Sequence, residues 1–138
     1  MNEHHQVHAE LPRTQGDYLV ALHARQHPIT CDEPASLGGG DQAPRPFELA
    51  LAGLASCTAI TIRMYAKRKQ WPLGDVRVGL SMRKDGDDFT ILRTVELGGE
   101  LSADQRARIA EICEKTPVTL FMKRGATIRT TLTAAPPA

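Results

Sequence analysis

The most constraining feature of the sequence is a stretch from Pro46 to about Gln70 that reads as one long helix. Apolar side chains occur on more than one of its faces, and small residues such as Gly53 and Ser56 keep its surface slim. A helix that is apolar nearly all round is buried by packing on several sides. We therefore expect a central helix around which the rest of a small domain is built.

Strand patterns lie on both sides of this helix in the sequence. Before it, residues 17–24 alternate and a second extended piece covers residues 27–34. Residues 35–46, with three consecutive glycines, predict an irregular loop. After the helix, residues 76–84 and 89–97 alternate around a short turn, which predicts two antiparallel strands.

The last third of the chain predicts two further helices and a strand. A capping box at Ser102 begins a helix whose buried stripe includes Cys113. Thr116 followed by Pro117 suits the N-cap and first position of a short helix. Residues 126–133 read as a final strand. Because strands and helices follow one another without an internal repeat, the fold class is predicted as α+β.

Length and charge limit the classes of protein. The 138 residues suit one core, and we expect a polar N-terminal segment at 1–15, one domain at 16–133 and a tail at 134–138. A net charge of +1 weighs against a nucleic-acid or membrane-surface protein. The N-terminal residues do not resemble a signal peptide, and the three cysteines fit a reducing compartment, so a cytoplasmic protein is expected.

The sequence leaves the roles of two residues undecided. Arg93 interrupts the apolar face of the second predicted hairpin strand, where it either reaches an edge or pairs with a buried carboxylate. Cys57 lies in the middle of the long helix. It is either a small apolar packing residue or a reactive thiol. Reactivity there requires a nearby cation, because the N-terminal end of its own helix is too distant. Glu48, nine residues earlier, falls on a different side of that helix.

The chain resembles the superfamily of osmotically inducible protein C and organic hydroperoxide resistance proteins. The resemblance is carried by GGGDQAPRPFELALAGLASCTAITIRMYAKRK and by LGGELSADQRARIAEICEKTPVTLFMKRGATIRTTL, within about residues 32–132. It implies an α+β unit with a long buried central helix on antiparallel sheet. It also implies an intertwined homodimer with paired sites near the interface.

The resemblance assigns roles to several residues. Cys57 matches the peroxidatic cysteine of the redox-active members, and Glu48 matches a glutamate that orients an activating arginine. Arg25 is the candidate for that arginine, with Arg13 and Arg45 as rivals. The resemblance implies no cofactor and no metal.

The chain departs from the family pattern at the second cysteine. Redox-active members have Cys-Pro-Val where this chain has Thr116, Pro117 and Val118, so the subgroup is one that lacks the resolving cysteine. Cys113, one helical turn earlier, is a candidate substitute, or else a core residue. Cys31 is a further candidate.

The leading functional hypothesis is a thiol-dependent peroxidase that reduces small organic hydroperoxides through Cys57, in a one-cysteine manner or with a substitute resolving thiol. A dithiol would then be its reductant. The alternative is a non-enzymatic protein of the same fold that binds a small apolar ligand or a partner, with Cys57 inert. A hydrolase or acyl transferase would need a histidine beside Cys57. His23 and His27 are the candidates, and no sequence spacing places either of them beside Cys57.

Overall fold

The computed structural model describes residues 4–14 and 16–136 of the chain. The chain forms two compact units, Met1–Ala55 and Ser56–Ala138, and the long helix begins in the first and ends in the second. The elements, in chain order, are β1 (His8–Glu10), β2 (Val20–Ala24), β3 (His27–Cys31), a 3₁₀ turn (Ala35–Leu37), α1 (Pro46–Lys69), β4 (Leu73–Asp85), β5 (Asp88–Gly99), α2 (Ala103–Cys113) and α3 (Pro117–Arg124).

The first unit contains a three-stranded antiparallel sheet in the order β1, β2, β3. The two predicted strands are present, although β2 begins at Val20 rather than at residue 17. The short strand β1 was not predicted, because its three residues are too few to display alternation. Arg25 occupies the turn between β2 and β3 with a positive φ of 55°.

The glycine-rich segment is held by Asp32, which is buried at the end of β3. Its carboxylate accepts the backbone N–H of Glu33 at 2.7 Å and that of Gln42 at 3.0 Å. The segment was predicted to be irregular throughout, but it contains one 3₁₀ turn, closed by Gly38 in the left-handed conformation. A Cβ at Gly39 would lie 1.9 Å from the carbonyl oxygen of Glu33, so this close approach requires glycine.

The predicted long helix is confirmed as α1, with 24 residues. Its buried side chains form one stripe at a spacing of four: Leu54, Thr58, Ile62 and Ala66. The prediction that this helix is buried on several sides does not hold for the single chain, because Ile60 and Met64 are 53% and 67% exposed. These two apolar side chains beyond the stripe are exposed in the single chain.

By length and composition α1 could cross a membrane, with a mean hydropathy of 1.4 over its most apolar window. The core helix of a soluble domain passes the same test. Ile62, on this helix, is fully buried in the core of the second unit, and 22% of the apolar window as a whole is buried.

The second unit packs its helices on the β4–β5 hairpin. The hairpin is antiparallel and turns at Gly86, which has a φ of 62°. The capping box predicted at Ser102 is present at the start of α2. The core consists of Ile62, Ile109 and Cys113, surrounded by Trp71, Leu73, Val76, Val95, Leu97 and Leu101.

The predicted final strand is wrong for the single chain. Residues 126–136 form no helix or strand, and Ile128 and Leu132 are 87% and 95% exposed. A strand needs a neighbour to complete its hydrogen-bond ladder, and apolar, β-branched residues alone do not supply one.

Candidate functional site

Cys57 lies in the middle of α1, and its side chain is half-buried. The sulfur lies 3.9 Å from the hydroxyl of Thr61, one turn along the helix. It also accepts a hydrogen bond from the backbone N–H of Val118 at 3.5 Å. The thiol is therefore held between its own helix and a second segment of the chain.

Val118 is the second residue of α3, whose N-cap is Thr116 and whose first residue is Pro117. The first N–H groups of a helix lack partners inside it, and together with the helix dipole they favour negative charge nearby. The sequence predicts the start of α3 at Thr116 and Pro117, but nothing in the spacing relates it to Cys57. The structure places the Cys57 sulfur at a different helix end, the start of α3.

Thr116 fixes this end of α3, as predicted. The side chain is fully buried, accepts the backbone N–H of Thr119 at 3.4 Å, and lies 2.6 Å from the Thr119 hydroxyl. Thr116 is thus a buried helix cap.

Arg93 follows neither of the two readings left open by the sequence. Its guanidinium donates to the hydroxyls of Thr58 at 3.0 Å and Thr119 at 2.9 Å. It also donates to the backbone carbonyl of Cys113 at 2.6 Å. The arginine is therefore joined to α1, to the end of α2 and to α3 through neutral oxygen atoms. Its place on an apolar strand face was the only sequence signal of this role.

The other two cysteines are buried free thiols. Burial raises the pKa of Cys113, which packs against Ile62 and Ile109. The pKa of Cys31 is also raised, first by burial and then by the neighbouring carboxylates. Both effects favour the protonated thiol, whereas disulfide exchange proceeds through a thiolate. A resolving role for either cysteine stays a prediction.

Glu48 lies near the start of α1, where its carboxylate accepts the backbone N–H of Arg45 at 3.0 Å. The backbone carbonyl of Arg45 in turn accepts the N–H of Leu49, at the start of α1. Glu48 therefore closes one half of a capping box, a role the sequence did not indicate because arginine is an unusual N-cap. The Arg45 side chain reaches Glu33, with Nε 3.6 Å from Oε1.

Arg25 and Arg13 are exposed in the first unit, as are His23 and His27. The pairing of Glu48 with an activating arginine stays a prediction. Among the side chains of residues 4–14 and 16–136, no group of three His, Cys, Asp or Glu is placed to hold a metal ion.

An open cleft of about 530 Å³ lies beside Glu48 in the first unit. It is lined by Asp41, Gln42, Ala43, Pro44, Glu48, Leu49 and Ala52. The lining is mixed, with two carboxylates and an amide beside apolar side chains. It offers both polar and apolar contacts to a small molecule.

Solved structures with the same fold come from several bacteria. An OsmC-like protein from Mycoplasma pneumoniae superimposes with a TM-score of 0.75 at 16% identity, over 89% of each chain. An organic hydroperoxide resistance protein, OsmC, from Legionella pneumophila gives 0.65 at 20% identity, over 88% of this chain and 90% of the other. The hydroperoxide resistance protein OhrB of Bacillus subtilis gives 0.58 at 18% identity, over 88% and 91%.

At these identities the structures establish the fold alone. A search of curated proteins finds no match. The family described as OsmC-like protein matches residues 38–131, which is more than half of the chain and includes α1, the β4–β5 hairpin, α2 and α3. The chain therefore belongs to the OsmC-like protein family.

Proposed function

We propose that the protein is a thiol-dependent peroxidase that reduces small organic hydroperoxides through Cys57. The observation that carries the proposal is the position of the Cys57 sulfur at the start of α3, where it accepts the N–H of Val118. Membership of a family that includes hydroperoxide resistance proteins supports the substrate class. Cys57 is half-buried, whereas Cys31 and Cys113 are buried.

The first step of the proposed reaction oxidises Cys57. The thiolate attacks one oxygen of the hydroperoxide, so that an S–O bond forms as the O–O bond breaks. The alkoxide takes up a proton and leaves as an alcohol. Sulfur loses two electrons and becomes a sulfenic acid, while the peroxide is reduced by the same two electrons.

The second step uses an external dithiol, since Thr116 cannot form a disulfide. One thiolate of the reductant attacks the sulfenic sulfur, releases water and forms a mixed disulfide. Its second thiol then breaks this bond, which frees Cys57 and leaves the reductant as a disulfide. The raised pKa values of Cys31 and Cys113 favour this one-cysteine route over an internal resolving thiol.

Glu48 is proposed to orient the activating arginine, with Arg25 as first candidate and Arg13 and Arg45 as rivals.

We further propose a cytoplasmic homodimer with its paired sites near the interface, because one chain leaves Ile60 and Met64 on α1 exposed. Sedimentation at micromolar concentration tests the dimer: a mass of about twice 15.1 kDa is expected, and the monomer mass would contradict it.

The experiment for the peroxidase compares wild type with Cys57→Ser in the consumption of cumene hydroperoxide, with dithiothreitol as reductant. Wild type is expected to turn over many equivalents, and Cys57→Ser to remain at the rate of reductant alone. Cys31→Ala serves as the matched control and is expected to keep the wild-type rate. Equal rates for wild type and Cys57→Ser would exclude the peroxidase.

The second candidate is a non-enzymatic protein that binds a small ligand, with Cys57 inert. The cleft beside Glu48 favours it, because a volume of about 530 Å³ is large enough for one small molecule. Titration with small apolar acids and alcohols, followed through the amide resonances of residues 41–52, tests this reading. Saturable shifts in a protein that lacks peroxide turnover would support it over the peroxidase.

A further inference from the structure

We infer that Arg93 is a positioning residue for Cys57, which it aligns with the start of α3. The inference rests on the proposed role of Cys57 as the reactive thiol. Arg93 does not contact the sulfur in the hydrogen-bond network described above. It binds Thr58 and Thr119, which are the sequence neighbours of the two residues in contact, Cys57 and Val118.

The geometry pairs two adjacent links between α1 and α3. The first link is the hydrogen bond from Val118 to the sulfur of Cys57, at 3.5 Å. The second runs through the guanidinium of Arg93, which donates from the same nitrogen to Thr58 at 3.0 Å and to Thr119 at 2.9 Å. Thr58 directly follows Cys57, and Thr119 directly follows Val118. The guanidinium therefore sets the distance at which the first link forms.

A third bond fixes the guanidinium itself. Its other terminal nitrogen donates to the carbonyl of Cys113 at 2.6 Å, at the last residue of α2. The Thr119 hydroxyl lies 3.3 Å from the same carbonyl. Since the guanidinium is planar and its donors are held in a rigid fork, one bond to α2 orients the remaining donors. The corner between α2 and α3 is thereby held against α1.

The chemistry of the cluster explains why an arginine is required on an apolar strand face. Thr58 and Thr119 are both buried, and buried hydroxyls are costly unless they are hydrogen-bonded. A cation supplies several donors at once and strengthens each bond to a neutral oxygen. An apolar residue of the same length would fill the space but leave α1 and α3 without this connection.

The test replaces Arg93 and follows the two partners it is inferred to align. Arg93→Met keeps most of the side-chain length without its donors, and Arg77→Met, exposed on the adjacent strand β4, is the matched control. Hydrogen exchange of the Val118 amide reports the bond to sulfur. The Leu120 amide, which donates to the backbone carbonyl of Thr116 at the N-cap of α3, reports the stability of that helix. The rate of Cys57 alkylation by iodoacetamide, mapped by mass spectrometry, reports the thiol.

Arg93→Met is expected to reduce protection of the Val118 amide at least tenfold more than that of Leu120, and to slow Cys57 alkylation about tenfold. Arg77→Met is expected to change neither. Arg93→Lys retains a charged donor. It is therefore expected to show a smaller loss of Val118 protection and a smaller decrease in the Cys57 alkylation rate than Arg93→Met. It also takes the place of Arg93→Met if that variant does not fold.

A uniform loss of protection across α3, with Cys57 alkylated at the wild-type rate, would reduce Arg93 to a structural residue and overturn the inference. The result is separable from the proposed function. If wild type consumes no hydroperoxide but Arg93→Met still alters Val118 and Cys57 selectively, the peroxidase is lost and the positioning role is retained. If wild type is active and Arg93→Met matches it in all three measurements, only the positioning role is lost.

Discussion

Val118 donates its backbone N–H to the sulfur of Cys57 over 3.5 Å, across 61 residues of sequence. The bond brings the start of α3 to a cysteine in the middle of α1. The first N–H groups of a helix have no partners inside it, so the N–H of Val118 is able to bond to an atom outside α3. The Cys57 sulfur is therefore held between α1 and α3, where the proposed chemistry would take place.

Thr116→Cys is expected to return a resolving thiol to the start of α3. Thr116 lies two residues before Val118, whose backbone N–H donates to the Cys57 sulfur. After one equivalent of hydroperoxide, mass spectrometry should find a disulfide between Cys57 and the introduced thiol. Loss of the threonine cap should cost about 1 kcal/mol of unfolding free energy. The double variant with Cys57→Ser is the control, and a linked peptide between Cys57 and Cys113 instead would contradict the prediction.

Glu48→Gln separates the capping role of Glu48 from its proposed catalytic one. The amide oxygen can still accept the N–H of Arg45, so the unfolding free energy should fall by less than about 1 kcal/mol. Peroxide turnover should fall at least tenfold if the carboxylate orients an arginine. Gln105→Ala, which opens the capping box of α2, should lose about 1 kcal/mol and keep its activity. Full activity in Glu48→Gln would contradict the catalytic role and leave Glu48 with the capping role alone.

Asp32 should make folding stability depend on acid pH. Hydrogen bonds from the backbone of Gln42 and then of Glu33 lower the pKa of Asp32 in the folded protein. Its contribution is therefore complete above the ordinary carboxyl pKa, about 4, and is lost as the pH falls through the lower native value. Urea unfolding between pH 7 and pH 2 should show a shallower acid dependence in Asp32→Asn than in wild type. Asp88→Asn, at the exposed end of the hairpin, should retain the wild-type slope, and an unchanged slope in Asp32→Asn would refute the assignment.

Local features of the fold could be predicted from the sequence because their causes are local. The capping residues Ser102 and Thr116 begin the helices they were expected to begin. The hairpin follows from strict alternation on either side of a short turn. The strand expected at residues 126–133 was wrong because it depended on a neighbour that the single chain does not supply.

The site could be predicted only in part, since its contacts join distant residues. Cys57 was identified through resemblance, but nothing in the spacing placed it at the start of α3. The partners of Arg93 lie 35, 26 and 20 residues away from it, beyond the reach of any periodicity argument. The capping bond of Glu48 is local, but it was missed because its partner is an arginine backbone.

The most direct test of the account is a single turnover on the reduced protein without added reductant. One equivalent of cumene hydroperoxide should yield one equivalent of cumyl alcohol, and dimedone added in the same reaction should label Cys57 as a sulfenic acid adduct. Cys57→Ser should yield neither product. Alcohol without a dimedone adduct on Cys57, or an unreacted peroxide in wild type, would contradict the claim that Cys57 is the peroxidatic thiol.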